Sequence, residues 1–193
     1  MKALGIIAAV VVAFGLWFMS LYNGFVTLQE GVNASWAQVQ NVYQRRADLV
    51  PNLVETVKGS ANFEKSTLTA VVEARASVGK LTVDKSVLND PNAFKQFQAA
   101  QGQLTSALSR LLAVSERYPD LKANANFRDL QVQLEGTENR ITVERKSFNE
   151  AAQAYNTAIR RMPGSIVAGM SHFQSRPYFE ADQGAEKAPA VKF

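Results

Sequence analysis

The chain has 193 residues, no cysteine, one histidine and a formal charge of +4. After about 22 residues are set aside for a membrane span, the remainder is long enough for one domain with a sizeable core, and a second domain is not expected. The lack of cysteine excludes disulfides, thiol nucleophiles and the usual Cys/His zinc sites. Lysine and arginine alternate with aspartate and glutamate along the chain, which indicates a solvated helix surface and no nucleic-acid interface.

The N-terminal segment carries no charged residue from position 3 to position 22. About twenty helical residues, at about 1.5 Å each, cross a hydrocarbon core of about 30 Å. Its principal apolar residues are Leu4, Ile6, Ile7, Val10, Phe14, Trp17, Phe18 and Leu21. A cleaved signal peptide would need a shorter apolar region and a small-x-small cleavage site, and the sequence has neither. We therefore predict that residues 1–22 are a retained transmembrane anchor in the lipid bilayer.

Residues 23–162 show the apolar period of a helix and no strand period. The first helix should continue from the anchor to Gly59 and kink at Pro51, because proline removes one backbone hydrogen bond and crowds the carbonyl four residues back. Further helices are predicted over 62–78, 90–118 and 124–162, with a loop over 79–89. The predicted fold is all-α: an N-terminal transmembrane helix that continues into a long, antiparallel up-down four-helix bundle with coiled-coil-like packing.

Several short strings stand out between residues 22 and 180. They are Ser35-Trp36, the arginine pair and proline of Arg45–Val54, Glu73–Arg75, Tyr118–Lys122, Glu138–Ile141, Tyr155-Asn156 and Met162-Pro163. Together they resemble the LemA family. The string with the arginine pair is specific, and the others support it. The chain departs from the family at Phe148-Asn149, where tyrosine usually precedes asparagine. The resemblance implies a bacterial, membrane-anchored helical bundle without an established biochemical activity.

Four polar side chains fall near one level of the predicted bundle, roughly 18 to 26 Å from its distal end at the standard helical rise. They are Arg46, Arg75, Gln101 and Glu138. We predict a buried structural layer in which Glu138 bridges the two arginines, because an unpaired buried charge is costly and one carboxylate can accept from two guanidinium groups. The alternative is that the Pro51 kink turns Arg46 to the edge of the bundle, where its guanidinium is wet.

Residues 163–180 follow the last predicted helix and should emerge beside the anchor. Their apolar and aromatic content predicts a contact with the membrane or with a partner subunit through Phe173, Tyr178 and Phe179. The alternative is that this segment wraps back and seals the base of its own bundle. Residues 181–193 are small and polar, and we predict that they form a flexible tail.

The sequence shows no phosphate-binding loop, catalytic dyad or metal-ligand pattern, so we predict no enzyme activity, no cofactor and no metal site. The first functional hypothesis is a membrane-anchored scaffold or interaction protein of the bacterial cell envelope, which forms homo-oligomers or holds another envelope protein. The alternative is a transmembrane signalling or adaptor module. We predict a single pass through the bacterial cytoplasmic (inner) membrane. Lys2 is the only cation near the span before Arg45, so the positive-inside rule predicts a cytoplasmic N-terminus with the bundle on the periplasmic side.

Overall fold

The structure of the protein is a computed structural model that describes residues 2–59, 63–81 and 84–180. The regular structure within those ranges is helical and contains no strand, which confirms the predicted all-α fold. The elements are α1 (Lys2–Lys58), α2 (Lys65–Gly79), a 3-10 turn (Lys85–Asn89), α3 (Pro91–Ser115), α4 (Pro119–Ala123), α5 (Ala125–Arg160) and α6 (Gly164–Met170). The predicted tail, residues 181–193, lies outside the described residues.

Helices α3 and α5 begin where the sequence supplies side-chain capping groups. The Asp90 carboxylate accepts from the backbone N–H of Asn92 at 2.8 Å, and Pro91 is the first residue of α3. Asn124 caps α5 in the same way, by accepting from the backbone N–H of Phe127 at 3.3 Å. The segment 79–89, predicted as a loop, differs from the prediction in its second half, which forms the 3-10 turn.

Helix α1 is 57 residues long, or about 85 Å at the standard rise. By length and composition it is able to cross a membrane, and it is the one such helix in the described parts of the chain. Its apolar side chains from Leu4 to Leu16 are exposed, whereas from Phe25 onward one face is buried. A single helix therefore joins a segment without protein neighbours to the core of the domain.

Helix α1 packs mainly against α5, and α2 packs mainly against α3. Trp36 contacts Phe94 and Phe148, while ten residues further along α1 Arg46 bonds to α3 and α5 at Gln101 and Glu138. Helix α3 thus runs in the same direction as α1, and α5 runs in the opposite direction. The complete four-helix, coiled-coil-like arrangement stays a prediction.

The buried apolar residues form two separate clusters. The proximal core, nearer the anchor, contains Phe25, Val32, Trp36, Val39, Tyr43, Val87, Leu88, Phe94, Phe97, Ile141, Phe148, Ala152, Tyr155, Ile159, Val167, Ala168 and Phe179. The distal core contains Val50, Leu53, Val54, Val57, Phe63, Val71, Ala74, Leu104, Leu108, Leu111, Val114, Leu121, Phe127 and Leu134. Along α1, α3 and α5 the boundary between the two cores coincides with polar residues.

Candidate functional sites: the anchor, a buried arginine and a C-terminal strap

The anchor segment presents hydrocarbon on all sides at its start and joins the domain at its end. The exposed side chains among the predicted anchor residues are Leu4, Ile6, Ile7, Val10, Phe14 and Trp17. Phe18 and Leu21 are partly buried against the proximal core. An apolar surface of this length is compatible with lipid and unfavourable in water. The boundary of the anchor at residue 22 stays a prediction.

Arg46 lies between the two cores and is 1% exposed. Its Nη1 donates to Oε1 of Glu138 at 2.7 Å and to Oγ1 of Thr105 at 2.6 Å. Its Nη2 donates to the backbone carbonyl of Gln101 at 3.2 Å and also to the side-chain oxygen of that residue. The guanidinium carbon lies 5.1 Å from the centre of the Tyr43 ring. Burial at this level excludes the alternative of a wet guanidinium at the edge of the bundle.

This arginine cluster joins three helices, because Arg46 belongs to α1, Gln101 and Thr105 belong to α3, and Glu138 belongs to α5. Both terminal nitrogens of the guanidinium already have acceptors. The Glu138 side chain is 37% exposed, so the ion pair reaches the solvent at one edge and is only partly desolvated. The arrangement favours one axial alignment of the helices, since a shift by one residue would separate the partners of a buried charge.

Arg75 does not belong to the arginine cluster, and its predicted bridge to Glu138 is wrong. Helix α2 buries Thr67, Val71 and Ala74, which turns Arg75 outward to an exposed position. Its Nε donates instead to the backbone carbonyl of Ala47 at 3.0 Å.

That contact compensates for Pro51 in α1. Residue 51 would normally donate its N–H to the carbonyl of Ala47, four residues earlier, and proline has no N–H. The Arg75 side chain supplies the missing donor from a neighbouring helix. Helix α1 continues through Pro51 without interruption, and the kink at this position stays a prediction.

After α6 and a turn at residues 171–172, the chain forms a strap without helical structure, residues 173–180, that returns along α5. The Asn156 side chain donates to the Arg176 carbonyl at 2.9 Å and accepts from the Arg176 N–H at 2.8 Å. Asn149 repeats this pattern with Phe179, at 3.0 and 2.9 Å. A side-chain amide carries one carbonyl and one NH₂ group, so it can pair with both backbone groups of an extended residue as a neighbouring strand would.

A third amide holds the end of the strap from the side of α3. Gln98 donates to the Glu180 carbonyl at 2.9 Å and accepts from the Glu180 N–H at 3.4 Å. The same carbonyl accepts from Arg145 of α5 at 2.8 Å. The strap is therefore bound across the groove between α3 and α5.

The strap inserts Phe179 into the proximal core, where it is 6% exposed. Its ring centre lies 4.8 Å from that of Phe94, 5.5 Å from Phe148 and 6.2 Å from Trp36. The Arg145 guanidinium covers the outer side of the ring, 4.9 Å from its centre. The predicted contact of Phe179 with a membrane or a partner is therefore wrong, because the helices of the same chain cover its side chain. The segment does seal the base of its own domain.

The other two aromatic residues of this segment lie elsewhere. Phe173 packs 5.5 Å from the rings of Tyr22 and Phe25, at the junction of anchor and domain. Tyr178 stays exposed, so its contact with a membrane or partner remains a prediction.

The strap also buries Arg176, which has no carboxylate partner within residues 2–59, 63–81 and 84–180. Its Nη1 donates to the Leu88 carbonyl at 3.4 Å and to the side chain of Asn89. The Tyr155 ring lies 5.8 Å from the guanidinium carbon. Burial raises the pKa of the Tyr155 hydroxyl, and the positive charge of Arg176 opposes this rise. These contacts tie the 3-10 turn to the strap.

Sequence reasoning missed Asn149, Asn156, Gln98 and Arg176. A signal for the first two was present: an aromatic residue followed by asparagine occurs twice, at Phe148-Asn149 and Tyr155-Asn156, seven positions apart. In each pair the aromatic ring points into the proximal core, so that the next residue lies on the adjacent edge of α5 and reaches the strap. The repeat predicts a bound backbone segment, although it does not tell which one.

These features define an all-α protein with one helix suited to a membrane and with buried polar groups that join helices. Across the described ranges, no group of three or more acidic or histidine side chains is placed to hold a metal ion. The model for the LemA family matches residues 35–193. The chain belongs to the LemA family.

Relatives with assigned names show the same affiliation. The magnetosome protein MamQ of Magnetospirillum gryphiswaldense is 29% identical over 190 residues, covering 87% of this chain and 68% of the relative. MamQ 2 of Paramagnetospirillum magneticum is 30% identical over 192 residues, covering 88% and 68%. The protein LemA of Metamycoplasma hominis is 25% identical over 161 residues, covering 83% and 69%.

Proposed function

We propose that this protein is a non-enzymatic scaffold of the bacterial cell envelope, a four-helix bundle held at the cytoplasmic membrane by its N-terminal helix. The observation that supports the proposal most directly is the continuity of α1, which passes from an exposed apolar segment into two buried cores. A helix that is rigidly joined to its domain can hold that domain at a fixed place above the lipid surface. The relatives named as magnetosome proteins are compatible with such a role.

The hydrogen-bond partners of the buried polar groups also favour a scaffold. The terminal nitrogens of Arg46 are directed at other helices, and Asn149 and Asn156 bind the chain's own backbone. These groups stabilise one arrangement of helices and leave no reactive pair directed at a cleft.

We propose further that copies of the chain associate through the outer face of α5. Val132 and Val143 are both strongly exposed and lie eleven positions apart, so three turns of helix bring them to one face. Gly136 lies between them, and added side-chain atoms there would meet no other part of the chain. Such a face allows another helix to approach closely.

The size of the full chain in mild detergent tests the association. Light scattering after size-exclusion chromatography is expected to show a discrete oligomer for the natural sequence and a smaller particle for the double variant Val132→Lys, Val143→Lys. The matched control is Val72→Lys, which changes an exposed valine of α2 and should leave the size unchanged. A monomer at all concentrations of the natural sequence would contradict self-association.

The alternative function is a signalling or adaptor module, and the Pro51–Arg75 contact is the observation that favours it. A helix with a proline and a compensating donor on another element can bend when that donor is withdrawn. A chain that is monomeric alone and oligomerises only with a stimulus would support signalling over scaffolding.

We place the domain on the periplasmic side, as the charge near the anchor predicts. Protease treatment of intact spheroplasts should digest the domain. Digestion only after the membrane is opened would refute this orientation.

A further inference from the structure

Helix α6 has one face packed on the domain and another that nothing in the described chain covers. Gly164, Val167 and Ala168 are buried at spacings of three and four. A side chain at position 164 would collide, because a Cβ there would lie 2.9 Å from the Phe25 ring and 2.8 Å from the Ala158 carbonyl. The short helix is therefore held tightly against α1 and the end of α5.

The opposite side of this segment is apolar. Met162, Ile166 and Met170 are exposed, and Met170 is 67% accessible. They are spaced four positions apart, and within α6 this spacing brings Ile166 and Met170 to one side. In water, three exposed large apolar residues in so short a segment are unfavourable.

The position of this surface identifies its partner. α6 contacts α1 at Phe25, three residues past Tyr22, which is about 5 Å along the helix beyond the end of the predicted anchor. The exposed apolar surface thus lies near the depth of the lipid headgroups if the anchor spans the membrane.

The charges at this end of the molecule are positive. Residues 151–179 contain no aspartate or glutamate, and neither do residues 1–29. The exposed residues Arg160 and Arg161 lie immediately before Met162. The next carboxylates on the two long helices are those of Glu30, about 7.5 Å along α1 beyond Phe25, and of Glu150, about 15 Å along α5 before Arg160. Asp84 and Asp90 flank the 3-10 turn, which packs with Arg176 beside the strap.

We propose that Met162, Ile166 and Met170 form a foot that inserts into the bilayer surface, with Arg160 and Arg161 directed at anionic lipid headgroups. The inference rests on the proposed membrane anchoring by α1. The anchor and the foot then provide two contacts with the bilayer. Two contacts fix the tilt of the domain, which a single helix leaves free to vary.

Spin labels on the full chain in lipid nanodiscs test the foot. Because the protein has no cysteine, each of Ile166→Cys, Met170→Cys, Val12→Cys and Val72→Cys provides one labelling site, and Val72 lies outside the proposed self-association face. All four positions are exposed, so the variants should melt like the parent. The accessibility of each label to a water-soluble nickel chelate is compared with its accessibility to oxygen.

In nanodiscs that contain phosphatidylglycerol, labels at 166 and 170 should be at least several-fold less accessible to the chelate than the label at 72. Their protection should decrease in phosphatidylcholine alone and in the variant Arg160→Gln, Arg161→Gln. Labels at 166 and 170 as accessible as at 72, with position 12 protected, would overturn the foot and leave the anchor. An accessible label at position 12 would instead overturn the anchoring itself.

Two further outcomes would also overturn the proposal. Equal protection in both lipids would reject the anionic headgroup as the ligand. Protection accompanied by spin–spin broadening between labels at position 166 would assign the surface to a second copy of the chain.

Discussion

The proximal and distal cores differ in composition and in the way they are closed. Eight of the proximal residues are aromatic: Phe25, Trp36, Tyr43, Phe94, Phe97, Phe148, Tyr155 and Phe179. The distal core is mainly valine and leucine, with Phe63 and Phe127 as its aromatic members. Regular helices supply most of the distal core, whereas the proximal core also needs the strap and the 3-10 turn. Helical periodicity is thus sufficient to build one half of the domain and insufficient for the other.

The largest expected difference between the two cores comes from Phe179→Ala. Removal of a buried phenylalanine should lower the free energy of unfolding by about 3–5 kcal/mol, measured by urea titration of the full chain in mild detergent. Tyr178→Ala, at the exposed neighbouring position, should change it by less than about 1 kcal/mol. Leu111→Ala in the distal core should add to Phe179→Ala without coupling, because the cores are separate. A strong coupling energy between the two substitutions would show that the proximal and distal cores are not independent.

Asn156→Ala tests whether amide side chains hold the strap. The variant leaves the backbone N–H and carbonyl of Arg176 without partners in a buried place, so we expect a loss of about 1–3 kcal/mol. Hydrogen exchange at residues 176–180 should accelerate with it. Asn139→Ala, at an exposed position of the same helix, is the control and should leave both measurements unchanged.

Glu138→Gln tests the polar boundary between the cores. The variant removes the charge that faces the buried Arg46 and should lower stability. We expect a loss of only about 1–2 kcal/mol, because partial exposure of the Glu138 carboxylate weakens the ion pair. The thermal midpoint should fall clearly. Glu150→Gln, which removes an exposed carboxylate 3.8 Å from Lys146, should leave the midpoint in place. If the two variants melt alike, the boundary does not depend on the ion pair.

The smallest effect concerns Pro51 and Arg75. Arg75→Ala should destabilise the natural sequence by roughly 0.5–1 kcal/mol, because the Ala47 carbonyl loses its donor. In a Pro51→Ala background the same change should have almost no effect, since residue 51 then donates its own N–H to that carbonyl. Equal losses of stability in both backgrounds would show that Arg75 does not compensate for the N–H that Pro51 lacks.

The features that the sequence predicts well are local. Asp90-Pro91 and Asn124 place the starts of α3 and α5 by their own capping groups. Counting residues from the distal end brings Arg46, Gln101 and Glu138 to one level, because the helical rise is nearly constant. A one-residue error in the buried face of α2 was enough to misplace Arg75.

The features that the sequence did not predict depend on contacts between distant residues. The segment around Phe179 has the apolar and aromatic composition of a membrane or partner contact. Phe179 is nevertheless buried, and its backbone is held by two hydrogen bonds with the Asn149 side chain, thirty positions earlier. An asparagine on a helix surface is equally compatible with water. Only the fold shows that its amide faces a peptide backbone.

The strap also has a consequence for the order in which the domain is made. A ribosome adds about 5–20 residues per second, so roughly two to six seconds pass between the synthesis of Phe148 and that of Phe179. During that interval the socket of Phe94, Phe148 and Trp36 lacks its last ring. The nascent chain therefore carries an unfilled aromatic socket until the strap is made and closes it.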